Sequence, residues 1–152
     1  MKMNEVSNNS RQKEFVTQTL DIFYTQAVSD FLIGYQFRKI KERAETSYED
    51  IFFPALSAFS THLARIRAFW YIQLLGDKKP EGEAPFDLIS AHLPLRINAG
   101  ELDRWIFLFK NTLEGERQKI DLEDINELCE RWLAKVEVFR AKIYQHIIKT
   151  KG

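Results

Sequence analysis

The sequence is poor in cysteine and has no long apolar run. Cys129 is the single cysteine among 152 residues, and one thiol cannot form an internal disulfide, so a secreted fold held by disulfides is excluded. No run approaches the roughly eighteen apolar residues that a membrane span needs. The stretch 1–11 is polar and lacks the apolar core of a signal peptide. We therefore expect no membrane association and a cytoplasmic location.

Neither sign of charge is in excess, since 22 basic side chains balance 22 acidic ones. Nucleic-acid binding requires a basic surface that neutralises phosphates, so no nucleic-acid partner is predicted. The chain also lacks a glycine-rich phosphate loop, an HExxH zinc motif and a nucleophile elbow. These absences disfavour the reactions that depend on those motifs.

The composition that is present favours a helical core rich in aromatic side chains. Hydrophobic residues make up 45% of the chain, and there are 12 Phe, 5 Tyr and 3 Trp. No segment alternates apolar and polar residues over the length of a strand, whereas apolar residues recur at helical spacing through most of the chain. We predict an all-α fold of about six or seven helices. A single domain is expected over residues 1–152, with a polar arm at 1–10 and a polar tail at 149–152.

Apolar spacing and helix-breaking residues predict the element boundaries of the first half. A first long helix is expected over residues 11–29, followed by a short helix or turn over residues 37–41. The charged stretch 39–50 is typical of a loop or a frayed helix. Pro54 suits the first turn of the next helix, and Gly76 would end that helix.

The second half has its own helix signals. Asn98 with Glu101 three positions later fits a capping box, which predicts the start of a helix. Gly115 would end this helix. Asp121 would then cap the last helix, whose apolar stripe is long enough to cross most of the domain.

His92 is the first candidate for a functional residue. It follows a linker at 77–85 and a predicted short helix at 86–91, and Pro94 prevents that helix from continuing. Its ordinary role would be that of a capping or surface histidine. Apolar flanks favour another role, because a neutral imidazole is a good iron ligand and a porphyrin leaves the protein only one ligand to supply. A pocket for a flat, metal-bearing group, with haem as the best candidate, is therefore predicted.

Three other side chains would complete such a pocket. His62 is predicted on the inner stripe of its helix with Ile66 and Phe69, where it is either a core histidine bonded to backbone or a side chain above the iron. Tyr24 could donate a hydrogen bond from its hydroxyl, and Trp105 from its indole N–H. Simple packing in the core is the alternative for both.

The order of these residues resembles the group III truncated haemoglobins over about residues 15–113. The resemblance rests on short motifs in sequence order, with spacing near that of the family. These are Phe23-Tyr24, Gly34 with Phe37, Phe59, His62-Leu63, Phe69-Trp70, Leu74-Leu75-Gly76, Gly82 and Pro85 before His92, and the run from Arg104-Trp105 to Phe109.

The resemblance implies a globin-like helical sandwich with a reduced first helix, binding haem b. His92 would be the proximal iron ligand. Tyr24, His62 and Trp105 would form the distal side. The implied haem contacts are Phe23, Phe37, Ile66, Phe69, Phe86 and Arg96.

Two hypotheses for the function remain open at this point. In the first, the protein binds dioxygen or nitric oxide at the haem iron. Detoxification of nitric oxide or peroxide would then need an unidentified reductase, and the resemblance does not choose among these reactions or decide whether the protein is an enzyme. In the second, the chain is a helical sensor or interaction module that has kept a globin-like pattern without haem. A monomer or weak homodimer is expected in either case.

Overall fold

The computed structural model describes residues 2–41, 56–78 and 92–148, and these residues are helical with no strand among them. The prediction of an all-α fold is confirmed. The described α-helices number five rather than about six or seven. They are α1 (Lys2–Ser29), α2 (Gly34–Lys41), α3 (Leu56–Leu75), α4 (Ala99–Lys119) and α5 (Glu123–Ile143). A 3₁₀ helix spans Leu93–Leu95, and a π-helical turn spans Tyr144–Ile148.

The helix α1 is central, since it packs against each of α2, α3, α4 and α5. Its buried stripe consists of Val16, Leu20, Phe23 and Ala27. These positions recur every three or four residues and therefore share one face of the helix. The helix thereby places Phe23 and Tyr24 in the middle of the fold.

The predicted start of α1 is wrong. The helix begins at Lys2 rather than Arg11, so the polar stretch 2–10 is helical. The chain contains neither proline nor glycine before Gly34, so nothing in this stretch interrupts a helix that packing stabilises further along.

Two predicted helix boundaries are confirmed. Gly76 follows the last residue of α3 and has a φ of +73°, a left-handed conformation that favours glycine. Asn98 and Glu101 form the predicted capping box: Glu101 N–H donates to Asn98 Oδ1 at 2.8 Å, and Asn98 N–H donates to Glu101 Oε1 at 3.0 Å. In both cases the helix boundary depends on backbone groups that lie within a few residues in the sequence.

Gly115 and Asp121 do not act as predicted. The helix α4 continues through Gly115 to Lys119, because buried Glu116 accepts hydrogen bonds from Gln18 and from Lys119. These contacts offset the cost of about 1 kcal/mol for a glycine within a helix. The helix α5 begins at Glu123, and its N-cap residue Leu122 forms no side-chain cap. Glu123 and Asp124 in its first turn stabilise the start of the helix, because their negative charges lie at the positive end of the helix dipole.

Several predictions lie outside the described residues. These are the loop from 42 onward, Pro54 at the next helix, the linker from 79 onward, the short helix at 86–91 and the tail at 149–152. No helix within the described ranges is long and apolar enough to cross a membrane.

A carboxylate with several partners joins the end of α1 to α2 and α4. Asp30 accepts hydrogen bonds from the backbone N–H groups of Leu32 at 3.0 Å and Ile33 at 3.2 Å. It also pairs with Arg104, whose Nη2 lies 2.8 Å from Asp30 Oδ1. The Asp30 side chain is only 6% exposed. The pair therefore determines the turn after α1 and the position of α4 beside it.

We predict that Asp30→Ala lowers the free energy of unfolding by about 2–3 kcal/mol, because it removes charge-assisted hydrogen bonds and leaves a guanidinium without its partner. Urea denaturation at neutral pH measures this change. The matched control is Asp103→Ala, which removes the ion pair with Arg140 from a side chain that is 63% exposed. It should cost much less, since water already solvates exposed pairs. Equal losses for the two variants would contradict the prediction.

The contribution of Asp30 should also depend on pH. The Arg104 hydrogen bond holds the pKa of Asp30 below its ordinary value. The ionised carboxylate therefore stabilises the fold above the pKa of the unfolded chain, and this stabilisation is lost as the pH falls through the lower folded pKa. Unfolding curves of the wild type and Asp30→Ala should accordingly converge below about pH 4.

Candidate functional site

His92 lies at the start of the 3₁₀ helix Leu93–Leu95, with Pro94 in its first turn. Arg96 ends this helix in a left-handed conformation with a φ of 53°, and its N–H donates to Leu93 O at 3.3 Å. The conformation is uncommon for a residue with a side chain. The backbone thus turns sharply directly after His92. The His92 side chain is half-buried, whereas that of Arg96 is exposed.

The His92 imidazole contacts the indole of Trp105. The ring centroids are 5.4 Å apart, and the planes are tilted by 37°. Trp105 is itself half-buried on α4 and stacks on Phe23 of α1 at 6.4 Å with an interplanar angle of 23°. The fold therefore brings together a predicted iron ligand, a predicted distal residue and a predicted haem contact.

Tyr24 extends this arrangement into the core. Its ring lies 4.7 Å from that of Phe23 and 6.1 Å from that of Phe37 on α2, both edge to face. Tyr24 is buried, and burial raises the pKa of its phenol above the ordinary value. The hydroxyl consequently keeps its proton at neutral pH and remains a hydrogen-bond donor.

The α3 residues are arranged differently from the prediction. His62 is exposed, so its predicted place on the inner stripe is wrong. Leu63, one position later and 100° further around the helix, is buried in its place. Ile66 is partly buried against the core. Phe69 contacts Trp70 at 5.2 Å and Phe139 of α5 at 5.5 Å.

The contact series formed by His92, Trp105, Phe23, Tyr24 and Phe37 is the candidate site. Four separate segments contribute these residues: the 3₁₀ segment, α4, α1 and α2. Phe86, the remaining predicted haem contact, lies outside the described residues.

The donor set of this site fits a haem. An imidazole supplies the single axial ligand that a porphyrin iron needs. A protonated phenol and an indole N–H are nearby donors, and phenyl rings supply apolar walls. Within the parts of the chain that the structure describes, no three His, Cys, Asp or Glu side chains cluster as ligands for a bare metal ion.

The spacing of the site sets a condition on haem binding. Rings with centroids 5.4 Å apart are in direct contact. If His92 and Trp105 were both to hold a macrocycle, their two rings would have to separate. In the conformation described, the imidazole and the indole pack against each other.

A polar cluster between α2 and α4 was not predicted from the sequence. Glu101 is 8% exposed and accepts a hydrogen bond from the Tyr35 hydroxyl and another from Gln36 Nε2 at 3.1 Å. The hydrogen bond to Glu101 raises the pKa of the Tyr35 phenol. The cluster joins the start of α4 to α2, which carries Phe37. The capping-box pattern identified Glu101, but no local signal identified its partners on α2.

The chain was compared with family models, with curated proteins and with solved structures, and none of the three comparisons gave a match. The resemblance to the group III truncated haemoglobins therefore stays a prediction.

The ring contact of His92 is directly testable in the haem-free protein. We predict that the ring current of Trp105 displaces the imidazole proton resonances of His92, and that Trp105→Leu returns them toward the values of an exposed histidine. Proton NMR of the two proteins measures this shift. The resonances of exposed His146 should stay unchanged and serve as the internal control. Unmoved His92 resonances in the variant would show that the rings are not in contact.

Proposed function

We propose that this chain binds haem b, with His92 as the axial ligand, and that it takes dioxygen or nitric oxide on the side of Tyr24 and Trp105. The observation that carries this proposal is the continuous ring series from His92 through Trp105 and Phe23 to Tyr24. These residues are distant in the sequence and were predicted from it to have separate roles in haem binding. In the fold they form neighbouring contacts.

The chain's own residues would act on the ligand through hydrogen bonds. Haem supplies an iron centre that binds diatomic molecules. The Tyr24 hydroxyl would donate to such a ligand, and its raised pKa keeps that proton in place at neutral pH. Trp105 Nε1–H would be a second donor. Donors in a buried site of low dielectric stabilise developing negative charge more strongly than donors in water do. Slow ligand release follows, which favours ligand chemistry over reversible transport.

The remaining predicted residues have lesser roles in this proposal. Phe23, Phe37, Ile66, Phe69 and Phe86 would line the macrocycle. Exposed Arg96, close to His92 in the chain, carries a charge suited to a carboxylate at the cofactor's rim. His62 lies on the solvent side of α3 and would meet a ligand as it arrives. Oxidation of nitric oxide or reduction of a peroxide would require electrons from a separate reductase.

A second candidate function is supported by one specific observation. The direct contact between His92 and Trp105 is what a haem-free helical module would retain as ordinary packing. Such a module would act as a sensor or interaction partner, and Tyr24 and Trp105 would be core residues. Cofactor binding separates the two candidates.

Hemin titration provides the primary test. The wild type should develop a Soret band that saturates at one haem per chain. His92→Ala should weaken binding by more than about 100-fold, because loss of a metal ligand exceeds the 10–100-fold effect of losing an outer-shell partner. His146→Ala, on the exposed terminal turn, is the matched control and should bind like the wild type.

Absence of a Soret band in the wild type would favour the haem-free module. A His92→Ala variant that keeps the wild-type affinity and coordination spectrum would reject His92 as the ligand. Electronic absorption of the ferric, ferrous and carbonyl forms distinguishes these outcomes.

The role of Tyr24 is tested by ligand release from the haem-loaded protein. Tyr24→Phe should accelerate dioxygen dissociation by about 10–100-fold, the equivalent of a charge-assisted hydrogen bond of about 1.5–3 kcal/mol. Stopped-flow displacement by carbon monoxide measures the rate. Tyr144→Phe alters a tyrosine that is 48% exposed, and it should leave the rate unchanged. An unchanged rate in Tyr24→Phe would mean that the phenol does not donate to the ligand.

A further inference from the structure

The three tryptophans of the sequence belong to one series of ring contacts. From Trp105 the series continues through Phe23 at 6.4 Å to Phe109 at 5.5 Å. Phe109 contacts Trp132 of α5 at 5.1 Å, and Trp132 contacts Trp70 of α3 at 5.6 Å. Trp70 is half-buried, whereas Trp132 is fully buried. The indoles therefore connect the candidate site to the surface of α3 through the core.

Packing alone does not account for an indole at position 132. Its Nε1–H is buried and has no hydrogen-bond partner among the residues that the structure describes. A buried donor without a partner destabilises the fold, because it loses its hydrogen bond to water and gains none in return. A phenylalanine would fill much of the same space without that cost, as Phe109 does beside it. The indole at the centre of the series thus carries a cost that its apolar neighbours do not.

We propose that Trp105, Trp132 and Trp70 form a route for one-electron holes from the site to the protein surface. Indoles are more easily oxidised than phenyl rings, so the three tryptophans hold the hole in turn, while Phe23 and Phe109 bridge the gap between the first two. The proposal deepens the proposed function: the route would supply electrons whenever the site is oxidised by a peroxide.

The electrons balance as follows. Reduction of hydrogen peroxide to two molecules of water consumes two electrons and two protons. The oxidised site regains each electron from Trp105, which regains it from Trp132, which regains it from Trp70. A soluble one-electron donor such as ascorbate then reduces Trp70. The protons consumed at the site come from solvent. The proton that oxidised Trp70 releases to water is taken up again when the donor reduces it, so the protein ends with no net change in its bonds.

The unpaired N–H of Trp132 suits this role. An oxidised indole becomes a strong N–H acid, and losing its proton to a neighbour would trap the hole. Trp132 Nε1–H has no acceptor within hydrogen-bond distance in the described part of the chain, so its oxidised form keeps the proton and passes the hole onward. Half-buried Trp70 reaches water, which can take the proton and end the transfer there.

The route can be tested without haem. Leu93 is 51% exposed and adjoins His92, so Leu93→Cys offers a thiol at the site end for a ruthenium polypyridyl photosensitiser. Cys129 is 2% exposed, and burial raises the pKa of its thiol to about 11, so labelling should be confined to the new cysteine. Illumination with a sacrificial electron acceptor generates the oxidant in place. Mass spectrometry then locates oxidised tryptophans in dilute protein.

The labelled protein should accumulate oxidation products at Trp70. Adding Trp132→Phe should remove most of them while leaving oxidation at Trp105. Phe15→Leu alters a buried aromatic residue of the same core that lies outside the ring series described, and it should keep the wild-type pattern. Equal oxidation of Trp70 with and without Trp132 would overturn the proposal.

A second variant covers the case in which Trp132→Phe does not fold. Trp70→Phe changes a half-buried residue and should shift the oxidation products back to Trp132 and Trp105. An unchanged yield at those two residues would overturn the route. In haem-loaded protein, hydrogen peroxide should reproduce the photochemical pattern. A protein that takes up no haem yet shows the photochemical pattern would reject the proposed function and retain the hole route.

Discussion

The burial of Phe23 is the contact on which both the fold and the candidate site depend. Its ring touches Tyr24, Trp105 and Phe109, and it is 1% exposed on the buried face of α1. Burying an aromatic side chain of this size contributes about 1.5–3 kcal/mol. Because α1 packs on every other α-helix described, a shift of Phe23 would move the site residues and the core together.

Buried carboxylates determine how α4 is oriented around that ring. Asp30 pairs with Arg104 directly before Trp105, and Glu101 binds Tyr35 and Gln36 at the start of the same helix. A carboxylate held by several donors gains enough to offset its desolvation. The indole that stacks on Phe23 is thereby positioned by polar contacts in the helical turn that precedes it.

Sequence-based predictions are right where the interaction joins residues close in the sequence, and wrong where it joins residues far apart. Gly76 and the Asn98 capping box depend on backbone groups a few residues away, and both behave as predicted. The prediction that Gly115 ends its helix is wrong because Glu116 accepts a hydrogen bond from Gln18 on α1, a contact that no local pattern encodes. The prediction that His62 faces the core is wrong by one position. Adjacent residues of a helix point 100° apart, so Leu63 is buried and His62 is exposed. The contacts of Glu101 with Tyr35 and Gln36 on α2 were not predicted, because they join residues far apart in the sequence.

Helical class, core composition and the residue types suited to a haem could all be inferred from the chain before folding, because periodicity and side-chain chemistry are local properties. Which aromatic rings meet was decided by packing among helices far apart in the sequence. The contact of His92 with Trp105, the exposure of His62 and the alignment of three indoles through the core are consequences of that packing. The sequence determines which face of a helix is apolar, but only the tertiary structure determines which other helix packs against that face.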